Sequence, residues 1–194
     1  MARDDELRNE QLTALLKHPQ VRLVGPVDHL MMTNFLDQLA AVEPAASPIA
    51  IEVTSNGGDA EIGRRLALEA RLARDRLGRR VIFAGKTMVY SAAATMMSGF
   101  AVEDRFLSRD GVLLIHCRKL DKQVHLVGPL DAAMTVLQQE LSEIEIGMKL
   151  QDEGYRMLID GSDVSFDEVT AKAKNGWYVQ AQEALDRRLV SALF

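Results

Sequence analysis

Short apolar runs, each ending in a turn and giving way to a helical pattern, constrain this chain more than any other feature. Val21-Arg22-Leu23-Val24 stops at Gly25-Pro26, Ile49-Ala50-Ile51-Glu52-Val53 runs into Ser55-Asn56-Gly57-Gly58, and Val81-Ile82-Phe83-Ala84 ends at Gly85. Asp28 can cap a helix running to about Val42, with Leu30, Met31, Phe35, Leu36 and Leu39 on its apolar face. A second helix fits Ala60 to Leu77, with Gly78 as its stop. Strands alternating with helices require crossover connections, so the expected fold is α/β with a mostly parallel sheet. The 194 residues suit a single domain spanning 1–194.

The rest of the chain extends the pattern. Residues 1–19 carry Leu7, Leu12, Leu15 and Leu16 at loosely helical spacing, ended by Pro19. Pro44 to Pro48 reads as a loop, as does Gly85 to Tyr90. Ser91 to Ser98 is a helix of small residues, and Val112-Leu113-Leu114-Ile115 is a strand with His116 at its end. A long helix is expected over about 130–159. Its apolar positions, among them Met134, Leu137, Leu141, Ile144 and Met148, exceed what one small domain readily covers, which points to self-association. Ser165-Phe166-Asp167-Glu168 is a capping box, Trp177-Tyr178-Val179 is short and extended, and Gln182 to Leu193 reads as a final helix.

Composition excludes several function classes. Net charge is −5, with 23 basic against 28 acidic residues, which argues against nucleic acid as a partner. The run Arg71 to Arg80 reads as the solvated face and end of a helix. The longest nearly uncharged stretch, Thr87 to Val102, is too short and polar to span a bilayer, so no membrane partner is expected. One cysteine, Cys117, permits no intrachain disulfide and suggests a reducing compartment. With no signal-like segment after the charged N-terminus, a cytoplasmic location is the expectation. No HExxH, CxxC, GxxxxGK[ST] or GxGxxG occurs, so neither a metal site nor a nucleotide cofactor is expected.

Three features can carry chemistry. Gly57-Gly58, between a strand and a helix, lets the backbone approach a ligand and aim amide N–H groups at an oxyanion. Ser91 opens a helix of alanines, where the N–H of Ala92 can supply a second oxyanion donor. His116 lies at the C-terminal end of a strand, the edge where open α/β sheets place ligands, and a neutral imidazole there can take a proton from a serine hydroxyl.

In this order and setting the features resemble the proteolytic subunit of the Clp protease. The family's Ser-Pro-Gly-Gly appears as Ser55-Asn56-Gly57-Gly58, its serine among alanines as Ser91, and its Ile-His pair as Ile115-His116 at the same separation from the serine. Its late Ala-x-Glu-Ala matches Ala181-Gln182-Glu183-Ala184, and the likeness spans about residues 20–193. The resemblance implies a ClpP/crotonase-type fold. It implies a serine peptidase with Ser91 as nucleophile, His116 as base, and Gly57 or Gly58 with Ala92 as the oxyanion hole. It also implies a homo-oligomer, a ring or stacked rings, with the helix at 130–159 interlocking two rings, peptide or unfolded-protein substrates, and an AAA+ unfoldase as a possible partner. The segment after His116, to about Gly128, would then pair with an extended substrate.

The family's third catalytic residue, an aspartate, aligns near Lys172 or Ala173; Asp163 and Asp167 are the nearest aspartates in sequence. Asn56 replaces the family's proline, and Arg188 stands where a glycine is usual. Two alternatives follow: a catalytically weak or inactive scaffold subunit, and a crotonase-type enzyme whose two amides hold an acyl-coenzyme A enolate.

Overall fold

A computed structural model describes residues 13–43 and 48–194. Most of the segment at 1–19, and most of the loop at 44–48, lie outside them; residues 13–17 are helical. The elements run β1 (Val21–Val24), α1 (His29–Ala40), β2 (Ile49–Ser55), α2 (Ala60–Leu77), β3 (Val81–Tyr90), α3 (Ala92–Met97), β4 (Arg105–Leu107), β5 (Val112–Ile115), α4 (Leu130–Ile159), α5 (Phe166–Ala173), β6 (Trp177–Gln180), α6 (Ala181–Asp186) and β7 (Ala192–Leu193). The expected caps form. Asp28 Oδ1 accepts the N–H of Met31 at 2.8 Å, Ser165 Oγ accepts that of Glu168 at 3.2 Å, and Gly78 ends α2 at φ 58°.

The seven strands form one sheet in the order β1-β2-β3-β4-β7, with β5 pairing β3 and β6. All pairs are parallel except β5–β6. β3 is the spine. Its first half, through Phe83, Ala84 and Gly85, pairs with β4, and its second half, through Met88, Val89 and Tyr90, pairs with β5. The core lies between the sheet and helices α1, α2 and α3, with Ile51, Val53, Phe83, Phe35 and Leu66 fully buried. Tyr155 and Leu158 bring the last turns of α4 into it.

Three local expectations give way. Gly85 to Tyr90 is strand, not loop. Its polar Lys86 and Thr87, with Thr87 at φ 52°, mark an irregularity, after which β3 resumes with Val89 buried opposite Ser55 of β2. β4 is an additional strand of three residues, and its first side chain is the buried Arg105. The final helix at 182–193 is only α6. The chain leaves it at Arg188, which takes the left-handed conformation (φ 51°) that glycine adopts more readily, and then forms β7.

α4 is 30 residues, about 45 Å at 1.5 Å per residue. Beyond its last turns it leaves the body of the molecule, and Leu130, Met134, Leu141, Ile144 and Met148 are exposed. Among the described residues no helix is long and apolar enough to cross a membrane.

Candidate active site

The serine sits where β3 hands over to α3. Its backbone has φ 56° and ψ −115°, a conformation L-residues avoid at a cost of about 1–3 kcal/mol. Both flanks over-determine the turn. The N–H of Ser91 donates to the Leu114 carbonyl of β5 at 2.8 Å, and its carbonyl accepts from Thr95 at 3.1 Å. The side chain makes no capping hydrogen bond, so Oγ is not spent on the helix. Small residues let this turn close. A Cβ on Gly57 would lie 2.7 Å from Ser91 Cβ and 2.9 Å from the Tyr90 carbonyl oxygen, and one on Gly63 would lie 2.6 Å from the Ala92 carbonyl oxygen. Ala92, Ala93 and Ala94 are all buried in the contact this allows.

The two glycines do different things. Gly57 (φ 94°) donates its N–H to the buried Ser55 Oγ at 3.1 Å, and its carbonyl accepts from Val27 at 2.9 Å. Gly58 bridges to Val27, and the next residue, Asp59, caps α2 by accepting from Glu61 at 2.7 Å and Ile62 at 3.1 Å. The N–H of Gly58 has no acceptor among the described residues, and that of Ala92 lies in the first turn of α3, where helical donors have no intrahelical acceptor.

His116 leaves the end of β5, and its Nδ1 contacts the Cys117 carbonyl oxygen at 2.6 Å. A carbonyl can only accept, so Nδ1 carries the proton there, and it is Nε2 that bears the lone pair whenever the ring is neutral. A backbone group thus occupies the position that an orienting carboxylate would fill. Ala173 approaches the same segment through its own backbone: its carbonyl accepts the Cys117 N–H at 3.2 Å. Lys172 turns away to Glu168 at 3.0 Å. Asp163 pairs with Arg188 at 2.9 Å, and Asp167 lies in the first turn of α5; neither borders the cleft.

Gly58, Ser91, Ala92 and His116 line one cleft of about 420 Å³, and Gly57 lies behind it against Ser91. Sequence reasoning missed the opposite wall, which α4 supplies through Leu150, Tyr155 and Leu158. Asp59, Arg118 and Lys119 bring charge to the rim. Arg118 binds Glu61 at 2.6 Å. Burial alone would push the Glu61 carboxyl up, but Arg118 and Arg64 outweigh it and hold it below the usual carboxylate range. The segment after His116 forms no strand before α4; Lys122 fastens it to Glu140 at 2.6 Å and Glu143 at 2.8 Å. β5 itself is already paired on both edges. Among the described residues no three His, Cys, Asp or Glu side chains gather as metal ligands would.

No family model matches the chain, and no curated protein matches its sequence. Among solved structures the chain is similar to a point mutant of ClpP1 from Listeria monocytogenes, with a TM-score of 0.72 and 17% sequence identity over 94% of each chain. The chain therefore has a ClpP-like fold.

Proposed function

We propose that this chain is a serine peptidase of the Clp type that hydrolyses peptide bonds with Ser91 and His116. The observation that carries the reading is the pairing of two unusual placements on one cleft. Ser91 is held at positive φ with its hydroxyl free of capping, and His116 is anchored through Nδ1. In the proposed reaction Ser91 Oγ attacks the scissile carbonyl while Nε2 of His116 takes its proton, then returns it to the leaving amine. The amides of Gly58 and Ala92 hold the oxyanion, and Gly57 supplies the space beside Ser91 that a side chain would fill. Water then attacks the acyl-enzyme by the same proton path. The substrates are peptides or unfolded protein. The working form is a homo-oligomeric ring or pair of rings, cytoplasmic, with an AAA+ unfoldase as a possible feeder.

A fluorophosphonate probe tests the chemistry. One adduct on the intact protein, absent from Ser91→Ala, is expected, together with loss of peptide turnover by roughly 10⁶-fold in the variant. Retained turnover in Ser91→Ala removes the assignment. A second reading, a scaffold subunit of weak or no activity, is favoured by one observation: a neutral carbonyl holds the ring of His116 but brings no charge to stabilise the imidazolium. Absence of an adduct on a folded assembly selects that reading.

A further inference from the structure

The carbonyl that anchors His116 belongs to a peptide unit whose other end is also held. The Cys117–Arg118 peptide presents its C=O to His116 Nδ1 at 2.6 Å, and its N–H, on Arg118, donates to Gln151 Oε1 at 2.7 Å. A peptide unit is planar, and in the trans form C=O and N–H point in opposite directions. Fixing the N–H from one side therefore aims the C=O to the other. Polarisation along the chain Gln151 Oε1, peptide, His116 also strengthens the bond to the ring. Gln151 stands on α4 one turn before the buried Tyr155 and two before the buried Leu158, on the stripe that faces the core. A polar side chain on that stripe requires a partner, and this peptide is the one it has.

We propose that Gln151 is the positioning residue of the site: it acts through the Cys117–Arg118 peptide to hold His116 in the Nδ1–H tautomer with Nε2 available as base. The inference rests on the Ser91–His116 reading for its catalytic consequence, though not for the tautomer itself. It makes the base answerable to the long helix. A shift of α4 by a fraction of a turn would release the peptide and, with it, the ring. The other titratable groups on the cleft are Asp59, Cys117, Arg118, Lys119 and Tyr155. Burial, then the nearby Cys117 thiol, push the Tyr155 phenol far above its ordinary range, so it stays neutral.

Two variants and two readouts test this. Gln151→Met keeps the side-chain length and removes the acceptor; Gln151→Glu keeps an acceptor oxygen. The ring ¹⁵N shifts of His116, assigned with His116→Gln, are expected to report the Nδ1–H tautomer in the wild type and in Gln151→Glu, and a mixture in Gln151→Met. Fluorophosphonate labelling of Ser91 is expected to slow roughly ten- to hundredfold in Gln151→Met and to recover in Gln151→Glu. Tautomer populations equal in the wild type and Gln151→Met overturn the proposal, even where Ser91 labels normally. A tautomer that responds to Gln151 in a protein that never labels leaves the positioning role standing and removes the peptidase reading instead.

Discussion

The two ends of α4 are built from similar residues and have opposite surroundings. Toward its C-terminus Tyr155 and Leu158 are 6% and 3% exposed, Arg156 stacks on Phe166 at 3.8 Å, and the final carbonyls are capped from β4. Toward its N-terminus Leu130 is 89% exposed, Leu141 56% and Ile144 44%. One end is held by its own chain. The other carries apolar area of the kind that monomers rarely leave open, which is the surface a second copy would cover in the proposed assembly. On that reading one helix serves as core at one end and as interface at the other, and the boundary is set by where the body of the molecule stops covering it, not by any change in residue type.

The held end depends most on Arg105. It is 2% exposed and donates to the carbonyls of Phe100 at 2.9 Å, Leu158 at 2.6 Å and Met157 at 3.3 Å, two of them from the last turn of α4. Those helical carbonyls have no intrahelical donor. Burial pushes the guanidinium down to about 10, against the pull of Asp160 and Glu103, so it remains charged at neutral pH. Arg105→Met removes three donations at once. It is expected to cost about 3 kcal/mol and lower Tm by roughly 10 °C, read by thermal melting. An unchanged Tm would erase the distinction between the ends.

The open end should respond in the reverse sense. Leu141→Asp with Ile144→Asp is expected to shift stability of the isolated chain by no more than about 0.5 kcal/mol per site, because both side chains are already exposed on it. The same pair should lower the particle mass, measured by light scattering, by separating paired rings of the 21.5 kDa chain. A mass equal to that of the wild type would mean that this face is not the interface.

The smallest effect belongs to the segment that joins the two regimes. Glu61 binds Arg118 from α2 and stays partly exposed, so Glu61→Gln is expected to cost under about 1 kcal/mol at pH 7 in urea unfolding. The Glu61 carboxyl is lowered in the folded state relative to the unfolded one. Its contribution is therefore complete above the unfolded value, about 4.3, and is lost as pH falls through the folded value. Wild type and variant should converge in acid, and a gap that persists there would mean that Glu61 acts through packing.

His116, Gly57 and Gly58 stand out in the sequence because each follows an apolar run, and Ser91 because it opens a run of alanines after an expected loop. What supports them does not. Cys117 contributes a main-chain carbonyl, which every residue possesses and no sequence announces. Gln151 lies inside a helix whose periodicity says only that it faces inward. The second half of β3 was hidden by Lys86 and Thr87, whose polarity reflects a register irregularity and a left-handed Thr87 rather than a loop. β4 was hidden by its length and by Arg105, since a charged residue rarely marks a buried strand unless all its donors are satisfied. Arg188 concealed the end of α6 because only its conformation, and not its identity, resembles a glycine.

The bond from Ser91 N–H to the Leu114 carbonyl also has a meaning in time. A chain made from its N-terminus produces the serine first, β5 next, and β6, which flanks β5 on its other edge, much later. Until β5 docks, the Ser91 turn lacks one of the two backbone bonds that hold it. On the proposed reading, a chain that stops before β5 lacks both that restraint and the base His116, and its Ser91 is an ordinary hydroxyl.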